Sequence, residues 1–467
     1  MRIPFLGGSG HARSVSVNVS RTVNLYAEMD AEGKAQIALY GTPGLVQFAT
    51  THAAEVRGLY EASGRLFAVV GATFYEVSGA GVATNRGTLT STSGAVSMAD
   101  NGLMVAVVDG ANGYQFTLAT NAFAQIADPD FPAADRIAFQ DGYFIINDSG
   151  TGSFFVTSLY GTDVDPLDFA SAEGAPDPLI SLICDHRELW LFGDESTEVW
   201  FNSGAADFPF ERINGAFLEM GCGAAHSVAK LDNSVYWLTQ DKRGHGQVVR
   251  AQGYQPQVVS TKAVEFAIDG YATIADAIAY TYHQEGHAFY VLTFPSANAT
   301  WCLDVTTGLW HERMYWDGAE NRHRGNCHAF CFGRHLVGDH TNGKIYELDL
   351  DAHTDDGAAL RAIRRTQHQH AQGKRLFWSS LQIDIEAGVG LVTGQGSDPQ
   401  MMLRWSDDGG KTWSSEHWRS MGAIGEYSRR AIWRRLGQSR NRVYEVAITD
   451  PVKRVIIDAW ADVEAGQ

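Results

Sequence analysis

Leu66-Phe67-Ala68-Val69-Val70-Gly71-Ala72-Thr73-Phe74-Tyr75-Glu76-Val77 reads as two short strands joined by a tight turn. The first half is an unbroken apolar run of the kind found in a strand buried on both faces, and the second is centred on aromatic residues. The same phrase returns six more times. Its copies are Leu103-Met104-Val105-Ala106-Val107 with Gly113-Tyr114-Gln115-Phe116, Tyr143-Phe144-Ile145-Ile146 with Phe154-Phe155-Val156, and Leu189-Trp190-Leu191-Phe192 with Val199-Trp200-Phe201. Then come Val235-Tyr236-Trp237-Leu238 with Val248-Val249-Arg250, Phe289-Tyr290-Val291-Leu292 with Trp301-Cys302-Leu303, and Leu336-Val337-Gly338 with Ile345-Tyr346-Glu347-Leu348. The anchors recur every 37 to 54 residues, close to the roughly 40 to 50 of a four-stranded propeller blade. The period predicts an all-β chain with a β-propeller of about seven blades over residues 56–350.

Composition agrees with that class. Of 467 residues, 45% are hydrophobic and 19% charged, and the 49 glycines suit a chain rich in hairpin turns. No apolar run approaches the roughly 18 residues of a membrane-spanning helix, so no membrane insertion is expected. The amino-terminal Met1-Arg2-Ile3-Pro4-Phe5-Leu6-Gly7-Gly8 lacks the apolar run of a secretory signal, which predicts assembly in the cytosol.

The flanks of the repeats differ from them. Residues 1–55 form an arm with the alternating Ser14-Val15-Ser16-Val17-Asn18-Val19-Ser20, expected as a half-buried strand outside the blades. Residues 351–359 are polar and turn-rich and read as a linker. Residues 360–467 carry longer alternating strands, among them Leu376 to Ile385, Met401 to Trp405, Arg442 to Ile448 and Val455 to Trp460. Four strands with one apolar face predict a β-sandwich or platform, and the arm is expected to join it.

Charge divides along the same line. The net charge of −18 splits into 16 Lys and Arg against 12 Asp and Glu from Leu360 onward, and 20 against 42 before it. An acidic propeller lacks the basic clusters that a tight grip on nucleic acid requires. The cations gather instead in Arg429-Arg430-Ala431-Ile432-Trp433-Arg434-Arg435. There Arg429, Arg430, Trp433, Arg434 and Arg435 are candidates for an oligomer or partner interface, a solvated strand edge and DNA contact being the other readings.

One local motif stands out. Ser406-Asp407-Asp408-Gly409-Gly410-Lys411-Thr412-Trp413 fits S-x-D-x-G-x-T-W and is similar to the Asp box on propeller hairpins. In that reading Asp408 accepts turn N–H groups, Gly410 allows a positive φ, and Trp413 buries against the sheet, with Ser406 and Thr412 completing a turn that folds rather than catalyses.

Candidates for chemistry are weak. Asp163, Asp165, Asp168, Glu173 and Asp177 are better explained by turns between blades than by a glycosidase pair, whose carboxylate spacing abundance alone does not show. Cys327 and Cys331 beside His323, His328 and His335 invite a zinc reading, but the spacing lacks a finger-type second pair. His368 and His370 alternate on one strand face, suited to a metal, a pH response or an exposed polar strand. No Walker loop or G-x-S-x-G elbow is present. No cofactor, no metal and no catalytic set are expected.

Asn24-Leu25-Tyr26, Thr42-Pro43-Gly44-Leu45, Gly58-Leu59-Tyr60, Ser97-Met98-Ala99 and the stretch Tyr427 to Trp460 resemble the packaged-DNA stabilisation proteins of short-tailed bacteriophages, the tail accessory factors of the tail hub or nozzle. The resemblance implies a structural, non-enzymatic protein of the virion tail. It implies a homo-hexameric ring below the portal and head-to-tail adaptor, attachment of tailspikes or fibres and of a needle or plug, and DNA passing through without sequence-specific binding. The rival reading is a glycan-binding or glycoside-hydrolysing tail-associated propeller, which would show carboxylates and arginines converging at one propeller mouth.

Overall fold

The computed structural model describes residues 1–30, 32, 35–172, 174–240 and 245–466. Seven four-stranded antiparallel sheets surround one axis. Blades 1 to 6 occupy residues 56–88, 97–125, 137–171, 179–218, 229–258 and 278–312. The seven apolar repeats fall on the second and third strands of the blades; the second strands face neighbouring blades on both sides and have no polar face, while the third alternate, with Glu76, Gln115 and Glu347 partly exposed. Between blades 1 and 2, for example, Phe67, Val69 and Phe74 meet Val105, Val107, Tyr114 and Phe116, all buried. The blades pack so closely that a Cβ on Gly58 would lie 2.6 Å from Val96 Cγ2.

Blade 7 is assembled from both sides of the propeller sequence. Its inner three strands are Gly325–Cys331, Arg334–Asp339 and Lys344–Asp349, and its outer strand is Gly44–Thr50, paired through Leu348 with Leu45 and Lys344 with Thr50. The arm is therefore not wholly outside the blades, and Ser14 to Ser20, expected as a strand, is a bend and turn that precedes the first strand. The seven residues Gly44–Thr50 close the ring by hydrogen bonds, because without them the third strand, Lys344–Asp349, would be left as an unpaired edge.

The remainder of the arm builds the second domain, a β-sandwich shared with the carboxy-terminal region. One sheet runs Leu25–Met29, Ile37–Gly41, Val455–Ala465, Leu376–Ile385, Ala431–Arg434. The other runs Arg21–Val23, Ala362–Arg365, Asn441–Ile448, Gln400–Ser406, His417–Ser420. Between them lie Leu39, Trp378, Leu381, Ile383, Trp433, Leu403, Tyr444 and Ile456.

The second sheet does not stop at the sandwich. Arg21–Val23 also pairs in parallel with Leu309–Glu312, the outer strand of blade 6, so blade and sandwich share one ten-stranded sheet. Side chains hold the seam. Arg21 binds Glu312 and Glu320 at 2.7 and 2.8 Å, the Asn24 amide donates to Met314 O and Arg361 O at 2.8 Å each, and buried Arg364 donates to Phe5 O, Gly8 O and Thr22 Oγ1.

The stretch read as a linker is also built in. Thr354–Asp355 pairs in parallel with the blade-closing strand and antiparallel with Ala358–Ala359. Asp355 is 1% exposed, and neither carboxylate oxygen has a hydrogen-bond partner. Polar composition reads as a loop, but here it lies under the junction of the two domains.

Candidate assembly surfaces

The basic run divides by strand alternation. In Ala431–Arg434, residues alternate between the sandwich core and solvent. Ala431 and Trp433 point inward, Trp433 being 1% exposed with its indole N–H donating to His417 O at 2.8 Å. Trp433 is therefore a core residue, and its candidacy as an interface anchor is withdrawn. Arg429, Arg430, Arg434 and Arg435 are exposed. Sequence reading missed their apolar company: Trp418 is 49%, Ile424 59% and Tyr427 78% exposed. Arg419, whose Nε donates to Ile432 O at 2.9 Å, joins the strand of Trp418 to that of Arg434. Large aromatics among arginines on an exposed surface are the composition of an interface core.

The motif Ser406 to Trp413 forms the turn between Gln400–Ser406 and His417–Ser420. Asp408 Oδ1 accepts from Lys411 N and Thr412 N at 2.9 Å each, Oδ2 from Thr412 Oγ1 at 2.7 Å, and Ser406 Oγ both donates to Asp408 and accepts from Gly410 N at 2.7 Å. These donors, the Thr412 hydroxyl first, hold the Asp408 carboxyl well below its ordinary range. Gly410 has φ +95°. Trp413 departs from the expected burial: it is half-buried, with the guanidinium carbons of Arg365 and Arg404 4.9 and 4.8 Å from its ring centre. Both arginines bind buried Glu445, so the cluster is internally neutralised except for one positive charge.

On the propeller, acids mark one mouth. The ends of the innermost strands and the turns after them carry Glu61, Asp100, Asp141, Asp185, Asp232 and Glu285 in blades 1 to 6. In blade 7 the same place holds Phe330 and Phe332, 55% and 39% exposed. These acids are scattered in sequence, one per blade, so only the closed ring brings them together. The opposite mouth holds Arg57, Arg136 and His226. Cations are not confined to the other end: at the acidic mouth Arg187 pairs with Asp141 at 2.9 Å and Lys230 Nζ lies 3.9 Å from Asp185.

The other candidates have local roles. Asp177 caps the turn at Ser196 through its N–H and hydroxyl, and Asp165 accepts from Leu167 N. Glu173 lies outside the described residues. His328 Nε2 lies 3.1 Å from His335 Nδ1, Cys327 Sγ faces Val56 O, and His323 receives an Arg313 N–H at 3.0 Å. No group of three or more His, Cys, Asp or Glu side chains among the described residues is arranged to hold a metal ion. His368 is tied to Val15 O and Asn441, while His370 is exposed.

Two family models match the chain. One, described as the β-propeller of bacteriophage P22 Gp10, matches residues 1–353, and the other, described as the β-sandwich of the same protein, matches residues 361–464. No curated protein matches the chain. Among solved structures, similar chains include PorZ of the type-IX secretion system of Porphyromonas gingivalis, at 11% identity and TM-score 0.41. That match covers 80% of this chain, which spans 46% of the length of PorZ. Others are YCF48 from Cyanidioschyzon merolae, at 12% identity and TM-score 0.45 with 66% of this chain and 99% of that one covered, and the WD40 propeller of Doa1, at 12% and 0.40 with 65% and 97% covered.

Proposed function

The chain belongs to the bacteriophage P22 Gp10 family and is a structural protein of a phage tail, and from that premise we propose that it forms a homo-hexameric ring, the tail hub or nozzle. The ring sits below the portal and head-to-tail adaptor, is assembled from subunits made in the host cytoplasm, retains the packaged DNA, and carries tailspikes or fibres and a central needle or plug. DNA passes through the ring without base-specific contacts. Retention of DNA is mechanical, since an acidic surface repels the phosphate backbone rather than adhering to it.

The observation that carries this reading is the shared ten-stranded sheet. A ring under the pressure of a packed genome needs each subunit to transmit load without yielding between its domains, and blade 6 and the sandwich are joined by backbone pairing and the buried side chains around it. Exposed Arg429, Arg430, Arg434 and Arg435, with Trp418 and Tyr427 beside them, supply a cationic and aromatic contact surface. The acidic propeller mouth supplies a surface of opposite sign.

The test is the mass of the purified chain, alone and with a portal–adaptor complex, by light scattering followed by electron-microscopic class averages. A six-fold ring in either sample is expected; a monomer that ignores the complex would refute the proposal. The Arg434→Glu, Arg435→Glu double variant is expected to fold and to lose ring or adaptor contact, and unimpaired incorporation into tails would remove these residues from the interface.

A further inference from the structure

The innermost strands of the seven blades enclose an axial cavity of about 580 Å³, within the range of small-molecule sites. Its wall is unlike the domain around it. Residues 1–359 hold 20 Lys and Arg against 42 Asp and Glu, yet the wall carries Arg57, Arg136 and Lys230 against the single carboxylate of Asp100.

Most of these charges are already engaged. Arg57 donates to Gly71 O, Ser91 O, Gly94 O and Ser91 Oγ at 2.5 to 3.0 Å. Lys230 Nζ lies 3.9 Å from Asp185, and Asp100 receives the Tyr60 hydroxyl.

Arg136 differs. It stands at the head of the innermost strand of blade 3, and among the described residues its one side-chain partner is His226 Nδ1 at 3.2 Å. Its Nε is buried with no acceptor. The neighbouring Asp135 takes the Asn147 amide at 2.7 Å and acts on Arg136 through its charge, without a hydrogen bond to the guanidinium. Because a guanidinium has only donors, His226 Nδ1 accepts and the imidazole proton sits on Nε2. Burial, then Arg136 itself, pushes His226 down to about 3, so the pair carries one positive charge at neutral pH.

A half-buried guanidinium whose fork carries no hydrogen-bonded carboxylate is chemically a receptor for one, since N–H bonds to an ionised oxygen are about twice as strong as neutral ones. We propose that Arg136, its plane set by His226, binds a small free oxyanion, a carboxylate or phosphate, within the axial cavity.

The test is calorimetric titration of the full chain with inorganic phosphate and, separately, acetate, against sodium chloride of matched ionic strength. Saturable binding of one anion per chain is expected for at least one probe, weakened about ten- to a hundredfold by Arg136→Gln and unchanged by Lys230→Gln. Absence of saturable binding of either anion by the unaltered chain overturns the proposal, as does undiminished affinity in folded Arg136→Gln. If that variant does not fold, Arg136→Lys is read instead. It keeps the charge but loses the planar fork, and undiminished phosphate and acetate binding overturns the proposal equally.

Discussion

Replacing Asp355 with Asn should stabilise this protein above neutral pH and leave it little changed in acid. The carboxyl lies under the domain junction with neither oxygen hydrogen-bonded. The arginines around it are committed elsewhere: Arg454 donates to Leu360 O and His353 O, and Arg313 to Tyr282, Pro43 O and His323. Burial therefore outweighs attraction to Arg313, Arg454 and Arg324, and the Asp355 carboxyl is pushed up from 3.8 to about 7. Between those values the folded chain holds a proton that the unfolded chain has released, so stability falls as pH rises and is at its lowest above pH 7. Roughly three pH units at about 1.4 kcal/mol each amount to about 4 kcal/mol at pH 8. With an unfolding entropy of about 1 kcal/mol/K for a chain of this length, Asp355→Asn should raise the melting temperature by about 4 °C at pH 8. The gain should shrink towards zero by pH 4. Thermal scans of both proteins from pH 4 to 8.5 are the assay. A variant equally destabilised at every pH would refute the reasoning, because it would mean that the carboxylate is ionised and held by the arginines.

Three further outcomes are expected. Buried Arg442 is clasped by half-exposed Asp407 at 2.6 and 2.7 Å, donates to Leu436 O and faces the rings of Trp378, Trp405 and Tyr444; Asp407→Ala, which leaves the cation with the backbone oxygen and the rings, should cost about 1 to 3 kcal/mol. Arg442→Met, which frees a carboxylate able to hydrate, should cost less, and denaturant titration of the two variants checks the order. Gly343→Ala should destabilise by more than about 2 kcal/mol, since at φ +69° its Cβ would lie 1.9 Å from His52 O. Gly357→Ala, at φ +84° in open space, should cost only about 1 kcal/mol by the same assay. Deleting residues 44–50 should leave blade 7 with three strands and an open edge, seen as new protease cleavage in residues 325–349 and loss of a single cooperative melt.

The parts of the fold that were legible are those where burial leaves a local trace. Leu66 to Val70 and its six counterparts are apolar throughout because both faces are covered. The outer strands Ala83–Thr88 and Gln255–Val258 are polar and exposed, and nothing in their composition separates them from loops. Gly44–Thr50 was invisible as a blade strand because its partner lies almost three hundred residues away and pairing leaves no mark in either segment alone. Trp433 was misread for a different reason: arginines alternating with apolar residues describe both an interface and a half-buried strand, and only the position of the second sheet decides. Likewise Arg136 and His226 are ninety residues apart, and no spacing rule links them.

The arm has one consequence for biosynthesis. Residues 21–50 supply strands to blade 7 and to both sheets of the sandwich, and their partners include Lys344 to Asp349, Ala362–Arg365 and Val455–Ala465. Blades 1 to 5 are made of consecutive strands and can pair as they leave the ribosome, while the arm, synthesised before them, must wait for nearly the whole chain. The first segment to be translated is thus among the last to find its place: a nascent chain cannot close its ring before Lys344–Asp349 has been made, nor its second domain before the final strands.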